Sequence, residues 1–325
     1  MALLKFKEQV MEMTSGRSVL ETLLEHGQDI PNGCRAGACQ SCMMQVTRGS
    51  VPERAQRGLK ETHKLKGLFL ACSCHPDEDI DICLPDSEQF KVPATVHRLI
   101  ERSGDVVELQ LKMEQEFEYH AGQFVTLWRD AHLSRSYSLT TMPKSDNILS
   151  FHIRRIEGGA FSSWVHNELQ PGEQLLVQGP AGDCFYVPGN ASQNLLLVGT
   201  GTGLAPLIGI IQDALHNGHS GEIHLVHGAL HHSGLYYHSE LKNLAATQAN
   251  VHYHPCVLKQ TEDLPDEIKL ASVNDVVTDI VAKPEGWKAY LCGDPDLVAK
   301  LRKQIFLAGC DMKNIYSDPF LPSQN

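Results

Sequence analysis

The sequence predicts a multidomain chain in three parts: a small mixed β domain, an antiparallel β-barrel, and an α/β domain with a parallel sheet. Three observations predict this order. A cysteine-rich loop lies near the start of the chain, between short strand-like runs. Strand-like runs at fairly even spacing fill the middle. An apolar strand, a glycine-rich turn and a helical stretch open the last part. We expect the three parts at residues 1–88, 89–190 and 191–325.

Four cysteines organise the first part. Three of them form a C-x4-C-x2-C run, and the fourth follows in a Leu-Ala-Cys context. This is the plant-type spacing for a [2Fe–2S] cluster held by four thiolates. Small residues between the first three let the backbone curl around a cluster and aim N–H groups at its sulfurs. The predicted metal ligands are Cys34, Cys39, Cys42 and Cys72.

Other interpretations of these cysteines fit less well. Structural zinc sites favour paired C-x2-C units, and only Cys39 and Cys42 have that spacing. Disulfides are disfavoured because the N-terminal residues show no export signal. Cys74 competes with Cys72 for the fourth position, and the spacing favours Cys72. Most of the remaining cysteines are expected to be small buried hydrophobic residues, with Cys292 as the exception.

The elements around the cysteine loop predict a small β-grasp domain of the ferredoxin type. Residues 3–7 and 10–13 have the pattern of two hairpin strands. Ser18 and Glu21 have the spacing of a capping box for a helix that Gly27 ends. Further strands are expected at 43–46 and 79–84, with a short helical stretch before Cys72.

The middle part carries the strand-like runs of the predicted barrel, at 92–99, 106–112, 123–128 and 149–156. Turns at 171–173 and 179–182 are expected to close it. One run here carries chemistry, Arg135-Ser136-Tyr137-Ser138. An arginine offers a bidentate fork for a phosphate, and a tyrosine offers an aromatic face. The plain alternative is a strand with one exposed arginine.

A second stretch of the middle part follows the strand at 149–156, with Gly158 and Gly159 leading into a helix start. Glycines at such a place let backbone N–H groups approach a pyrophosphate. The alternative is a strand-to-helix turn in which Ser162 is a plain N-cap. The candidate cofactor-binding residues here are Arg154, Gly159, Ala160, Phe161 and Ser162.

The pattern of the last part predicts a site for a pyrophosphate. A strand at 194–198 runs directly into a glycine loop and then a helix expected from 207 to 215. The G-x-G-x-x-G pattern is not met, because Leu204 occupies the place of its third glycine. A second candidate stretch ends an apolar strand and precedes a helix expected from 296 to 307. The candidates are Gly199, Thr200, Gly201, Thr202 and Gly203 in the loop, and Cys292, Gly293, Asp294 and Pro295 in the second stretch.

These motifs, in this order, resemble those of the ferredoxin–NADP reductase superfamily. The R-x-Y-S run, the G-x-G-x-G-x-A-P loop and the Cys-Gly-Asp-Pro stretch carry the resemblance. Together with the cysteine run, the whole chain resembles the fused reductases that serve multicomponent oxygenases, such as those for benzoate, phenol, toluene and methane.

The resemblance implies an electron-transfer enzyme that carries hydride from NADH to FAD and single electrons on to the cluster. Its partner would be a terminal oxygenase or an intermediate electron-carrier protein. Ser138 and Cys292 would be catalytic, with Cys292 close to the hydride-donating carbon. Phe320 would stack on the flavin or pack in the core, and both remain open. No acid–base constellation is expected.

Coenzyme choices follow from the same resemblance. FAD is favoured over FMN because Gly158 and Gly159 suit a dinucleotide and because the cluster part comes first. NADH is favoured over NADPH because Leu230 stands where relatives often carry an arginine for a 2′-phosphate. His231, His232 or Lys242 could still supply such a contact.

Composition limits the function classes. The net charge of −11 argues against nucleic acid as a partner. No apolar run reaches the length of a membrane span, and ten cysteines without an export signal indicate a reducing, cytoplasmic compartment. The histidines, including His231 and His232, are expected at the surface rather than as metal ligands. Two alternatives stay open: a non-oxygenase acceptor such as a deoxysugar dehydratase or free flavin, and a non-catalytic metal-binding or sensing protein.

Overall fold

The computed structural model describes residues 2–14, 16–30, 32, 35, 42–85, 91–130, 132–143, 146–260 and 264–320. The chain divides into two compact units, Met1–Glu88 and Gln89–Asn325. The limits that we expected for three parts stay a prediction. Within the described residues, no helix is long and apolar enough to span a bilayer.

The first unit is built on a five-stranded mixed sheet. Its elements are β1 (Leu3–Phe6), β2 (Gln9–Glu12), α1 (Val19–Glu25), β3 (Met43–Arg48), α2 (Glu61–Leu65), β4 (Leu68–Leu70) and β5 (Ile80–Cys83). The strand order is β2-β1-β5-β3-β4, with β1 parallel to β5. The capping box predicted for α1 is confirmed, because Ser18 Oγ accepts from Glu21 N and Glu21 accepts from Ser18 N.

The second unit begins with a six-stranded antiparallel sheet. Its elements are β6 (Lys91–Ser103), β7 (Val106–Met113), β8 (Phe124–Trp128), β9 (Ser134–Ser138), β10 (Ile148–Arg154), α3 (Ala160–Asn167) and β11 (Gln174–Ala181). The order is β10-β7-β6-β11-β8-β9. Beyond β9, Thr140 N donates to Ser150 O of β10 over 3.0 Å, which links the two ends of the sheet. The turn predicted at 179–182 is wrong in part, since β11 continues to Ala181 through an irregular register.

A six-stranded parallel sheet completes the second unit. Its elements are β12 (Leu195–Thr200), α4 (Leu204–His216), β13 (Ile223–Ala229), α5 (His238–Thr247), β14 (Val251–Val257), β15 (Lys269–Leu270), α6 (Val273–Ile280), β16 (Lys288–Gly293), α7 (Pro295–Leu307) and β17 (Ile315–Pro319). The order is β15-β14-β13-β12-β16-β17. Helices α4 and α5 cover one face of the sheet, and α6 and α7 cover the other. The fold class predicted from the sequence is therefore confirmed.

Two details of the parallel sheet differ from the predictions. Helix α4 starts at Leu204 rather than residue 207, because Pro206 lies in the first turn, where a missing N–H costs nothing. The tail contributes a sixth strand, β17, which pairs with β16.

Three histidines predicted at the surface are buried instead: His152, His219 and His227. Each ring has a tyrosine hydroxyl as a hydrogen-bond partner, which reduces the cost of burying a neutral imidazole.

A buried polar network joins the antiparallel sheet to the α/β part. Arg102 Nε donates to Glu108 Oε2 over 2.7 Å, and its Nη1 lies 3.5 Å from Glu240 Oε1 of α5. Although burial acts to raise the pKa of Glu108, hydrogen bonds from Gln110, Ser150 and Arg102 hold it below its ordinary value. His152 Nδ1 lies 3.1 Å from the Tyr236 hydroxyl. Charge and hydrogen bonds therefore bind both parts of the second unit together.

Candidate functional site

Two of the four predicted cluster ligands lie among the described residues. Cys42 is buried at the start of β3, and Cys72 is half-buried just after β4. Ala71 N donates to Cys42 O over 3.0 Å, so the two segments meet at the backbone as well. Burial raises the pKa of the Cys42 thiol to about 11, and bound iron would deprotonate it. Cys34 and Cys39 lie outside the described residues.

The competing cysteine, Cys74, faces a different environment. Its side chain is fully buried in the core of the first unit, beneath α1, whose Val19 N donates to Cys74 O. Burial raises the pKa of its thiol to about 12. Cys72 contributes to the pKa of Cys42. The geometry thus fits Cys72 better as the fourth ligand, which stays a prediction.

Strand β9 carries the R-x-Y-S run at one edge of the antiparallel sheet. It pairs with β8, with Tyr137 opposite Val125. The Tyr137 ring is half-buried and lies 5.6 Å from the Phe161 ring, centroid to centroid. Arg135 Nη1 donates to Ser134 O over 2.7 Å and keeps part of its guanidinium exposed. This strand therefore offers an aromatic surface and a cation side by side, which fits a flavin with its phosphates.

The second predicted stretch forms the N-terminus of α3. Gly159 is the N-cap residue, and no side chain caps the helix. Ser162 is therefore not the N-cap; its hydroxyl accepts from Ile156 N and contacts Gly159 O, which fixes the turn. A Cβ at Gly159 would lie 2.8 Å from Ser162 Oγ. Ala160 is exposed, and Phe161 is buried in the core. The uncapped N–H groups fit a pyrophosphate.

Arg154 lies between the antiparallel sheet and the glycine loop. Its Nε is 3.0 Å from Asp105 Oδ2, which orients the side chain. A Cβ built at Gly201 would lie 2.8 Å from Arg154 Nη1, and Gly201 has a φ of +54°. The residue at 201 must therefore be glycine for this arginine to approach the loop.

The glycine loop itself is defined by close backbone contacts. A Cβ at Gly203 would lie 2.4 Å from Cys292 O, and one at Gly293 would lie 2.9 Å from Thr200 Oγ1. Gly199 is similarly close to Leu207 of α4. Thr200 and Thr202 remain half-buried at the same end of the sheet. The loop after β12 and the end of β16 therefore pack backbone against backbone.

Asp294 and Pro295 have a structural role at the start of α7. Asp294 Oδ1 accepts from Leu297 N over 2.9 Å as an N-cap, and Pro295 occupies the first turn. This engagement accounts for the Asp-Pro pair without a cofactor. Their predicted contact with the nicotinamide stays a prediction.

Four side chains from distant segments meet where β9, β16 and β17 end. Ser138 Oγ donates to Asp318 Oδ2 over 3.0 Å. Asp318 is opposite Cys292 in the β16–β17 register, and Cys292 Sγ lies 3.6 Å from Cys184 Sγ. Ser138 and Cys292 were predicted as catalytic, and the structure brings them to one place. Asp318 and Cys184 were missed, although Asp318 stands only two residues before Phe320.

The electrostatics of this place favour protonated groups. Burial, together with the charge of Asp183 and against the hydrogen bond from Ser138, raises the pKa of Asp318 to about 6. Burial and the neighbouring Cys184 also raise the pKa of the Cys292 thiol. A carboxyl that titrates near neutrality beside a serine hydroxyl is a candidate for proton handling. The expectation that the chain has no acid–base constellation stays a prediction, which the Ser138–Asp318 pair puts to the test.

Phe320 is the last described residue and is tied to the same place. Its backbone N donates to Gly293 O over 2.8 Å. The ring is half-buried. Stacking on a flavin and packing in the core both remain predictions for this residue.

Comparison with known families matches all three parts of the chain. A 2Fe-2S iron-sulfur cluster binding domain matches residues 5–77, an oxidoreductase FAD-binding domain matches residues 92–186, and an oxidoreductase NAD-binding domain matches residues 197–303. The cofactor domains predicted from the motifs are thereby confirmed.

Curated relatives match over nearly the whole length. The chain is 32% identical over 322 residues to the ferredoxin–NAD(P)+ reductase component of naphthalene 1,2-dioxygenase and salicylate 5-hydroxylase systems from Ralstonia sp, covering 95% of each chain. It is 28% identical to the corresponding naphthalene 1,2-dioxygenase component from Pseudomonas putida, covering 98% of each. Phenol and toluate oxygenase reductases also match.

Solved structures of reductases also match over nearly the whole chain. A cytochrome P450 reductase from Amycolatopsis superposes with a TM-score of 0.68 at 26% identity, covering 99% of each chain. A ferredoxin reductase of carbazole 1,9a-dioxygenase superposes with a TM-score of 0.66 at 21% identity, which shows the shared fold. Taken with the three matching domains, these likenesses show that the chain belongs to the family of iron–sulfur flavoprotein reductase components of multicomponent oxygenases.

Proposed function

We propose that this oxidoreductase is a cytoplasmic, NADH-dependent reductase that passes electrons from NADH through FAD and a [2Fe–2S] cluster to a terminal oxygenase or an intermediate electron-carrier protein. The observation that carries the proposal is the meeting of Ser138, Asp318 and Cys292 between the R-x-Y-S strand and the glycine loop. The naphthalene, phenol and toluate oxygenase relatives support the class of partner.

The antiparallel sheet would hold the flavin. Arg135 and the N-terminus of α3 would bind its phosphates, and Tyr137 would lie against its ring system. A bound flavin would take up two electrons as hydride and release them one at a time, which matches a two-electron donor to a one-electron cluster. Gly158 and Gly159 suit the pyrophosphate of FAD, a group that FMN lacks.

The glycine loop and the end of β16 would hold the nicotinamide coenzyme. No side chain caps the start of α4, so its N–H groups would be open to a pyrophosphate, and Arg154 adds a cation beside Gly201. Cys292 would face the nicotinamide as a neutral thiol, because burial raises its pKa. A neutral thiol packs against the ring without attacking it.

Ser138 and Asp318 would handle the proton that accompanies reduction. The Ser138 hydroxyl donates to the Asp318 carboxyl, and the pKa of Asp318 near 6 lets it exchange a proton with solvent near neutral pH. Ser138 would in turn present its hydroxyl to the reacting edge of the flavin.

The surroundings of β13 support NADH over NADPH. Leu230 is half exposed where a 2′-phosphate fork would be needed. Lys242, one possible substitute, is paired with Glu267. Burial lowers the pKa of His238, so this ring is neutral and offers no charge. Leu230, Lys242 and His238 therefore offer little to attract a second phosphate, while His231 and His232 stay open as contacts.

An anaerobic titration of the purified protein with NADH tests the electron chain. We expect absorbance changes of both flavin and cluster, while NADPH acts at much higher concentration. Response to NADPH alone would contradict the coenzyme choice, and no response to either would contradict the enzyme activity.

A cysteine pair tests the order of carriers. Cys72→Ser should remove reduction of a one-electron protein acceptor such as cytochrome c, while NADH-dependent ferricyanide reduction stays largely intact, because the flavin site is untouched. Cys83→Ser, at a half-buried cysteine of the same unit, is the matched control. Loss of both activities in Cys72→Ser alone would mean that the cluster precedes the flavin.

A further inference from the structure

We propose that the chain carries a second metal site, for a divalent transition-metal ion of the zinc type, at the amino-terminal ends of β13 and β14. This site is separate from the iron–sulfur ligands and from the glycine loop. Its four candidate ligands are Glu222, His224, His252 and His254.

The donor atoms of these residues already converge. One ligand atom each from Glu222, His224 and His252 lie within 4.8 Å of one another. His252 Nε2 contacts Glu222 Oε2, and His224 Nδ1 lies 3.1 Å from His254 Nε2. In a tetrahedral zinc site with bonds of about 2.0–2.2 Å, neighbouring donors lie roughly 3.3–3.5 Å apart. The 3.1 Å between His224 Nδ1 and His254 Nε2 is already close to those separations.

The sheet fixes this arrangement. The parallel register places His224 directly beside His252, and residues two apart on a strand share a face, so His254 joins them. The rings of His224 and His252 stack with centroids 4.7 Å apart, and Trp287 stacks on His224 at 5.4 Å. Three imidazoles on a rigid sheet lose little freedom on binding an ion.

Ring nitrogens and one carboxylate form a donor set that selects the metal. Imidazole suits zinc, copper and nickel, whereas magnesium and calcium prefer oxygen ligands alone. The place is open to solvent, with about half of the Glu222 side chain and 39% of the His252 side chain exposed, so an ion can enter. Lys269 is the opposing cation near His254, and it is paired with Asp279 at 3.5 Å.

The contact between His224 and His254 depends on their protonation states. Two imidazole nitrogens 3.1 Å apart satisfy each other only if one carries a proton and the other does not. A bound metal ion would satisfy all the facing nitrogens at once. It would also tie β13 to β14 at the end opposite to His227 and Gly228, away from the glycine loop.

Isothermal titration of zinc chloride into the tag-free holoprotein, with flavin and cluster bound, tests the site. We expect one ion per chain, and at least tenfold weaker binding in His252→Gln and in His254→Gln. His216→Gln, at an exposed histidine of α4, should bind like the wild type. Zinc at a hundredfold excess over its dissociation constant should raise the melting temperature by about 5 °C in the wild type and not in the two variants.

Three results would overturn the proposal. Zinc uptake that both variants retain would assign the ion to other groups, such as cysteines. Equal binding of magnesium chloride would indicate attraction to carboxylates in general. No uptake by the wild type at about 100 μM zinc would leave the cluster without a metal role. His252→Gln alters a partly exposed side chain, so the test survives if His254→Gln fails to fold.

Discussion

The two sheets of the second unit build one site by opposite means. The antiparallel sheet contributes side chains, with Arg135, Tyr137 and Ser138 on a single edge strand. The parallel sheet contributes glycines that have no side chain. Gly203 and Gly293 let two backbone segments touch. Substitutions should therefore damage the antiparallel sheet by removing side-chain atoms and the parallel sheet by adding them.

The largest effect is expected from adding one methyl group to the glycine loop. In Gly203→Ala the new Cβ would lie 2.4 Å from Cys292 O, a backbone atom that cannot rotate away. We expect a loss of about 2–4 kcal/mol in unfolding free energy, measured by urea denaturation. Gly189→Ala is the control, since a Cβ there meets nothing within 4 Å. Equal stability of both variants would mean that the loop is not tightly packed.

Removal of a side chain from the antiparallel sheet should act on cofactor content instead. Arg135→Ala is expected to weaken FAD binding about 10–100-fold, the worth of a lost charge-assisted contact to phosphate, with little change in folding. The FAD content is measured after dialysis, from the fluorescence of the flavin released from the protein. Arg98→Ala, at an exposed arginine of β6, is the control. Unchanged flavin occupancy would remove Arg135 from the site.

Asp318 is an exception in the parallel sheet, because it contributes a side chain to the site. Its folded pKa near 6 is raised above the ordinary 3.8, so the folded chain holds this proton more tightly than the unfolded chain. The proton's contribution to stability is present below pH 4 and is lost as the pH rises through about 6. Asp318→Asn removes this dependence.

The stability of Asp318→Asn relative to the wild type should therefore increase between pH 5 and pH 8, by about 1–3 kcal/mol in urea denaturation. Asp311→Asn, at an exposed aspartate, should show no such trend. A parallel pH profile for Asp318→Asn and the wild type would exclude a buried, titrating carboxyl at this position.

The smallest effect is expected at the rim of the coenzyme site. Leu230→Arg adds a cation beside the predicted ribose and should shift the ratio of kcat/KM for NADPH over NADH about tenfold toward NADPH. Leu307→Arg, at an exposed leucine of α7, controls for the added charge. An unchanged ratio would mean that residue 230 does not face the ribose.

Sequence reasoning found the parts of the site that depend on local pattern. The R-x-Y-S run and the glycine loop are contiguous, so their chemistry shows in a few residues. The Ser18 capping box was predictable for the same reason. The cysteine spacing indicated the cluster, although Cys34 and Cys39 lie outside the described residues.

What the sequence did not reveal depends on long-range pairing. Asp318 reaches Ser138 across 180 positions, and Cys184 reaches Cys292 across 108. The residue pattern of a single segment does not predict contacts between side chains so far apart in the sequence. Strand β17 was missed because its five residues end in a proline and gain their strand character from pairing with β16. The histidines of β13 and β14 were treated singly, whereas the register aligns them.

The polar network around Glu108 has a consequence for the exchange of modules between reductases of this family. The first compact unit ends at Glu88, and the flavin and nicotinamide parts lie together in the second unit. A graft of the nicotinamide part alone would deprive Arg102 of Glu240 and His152 of Tyr236. His152 is buried, and a buried group that loses its hydrogen-bond partner costs about 1–3 kcal/mol. Hybrid enzymes should therefore inherit the flavin and nicotinamide parts from one parent.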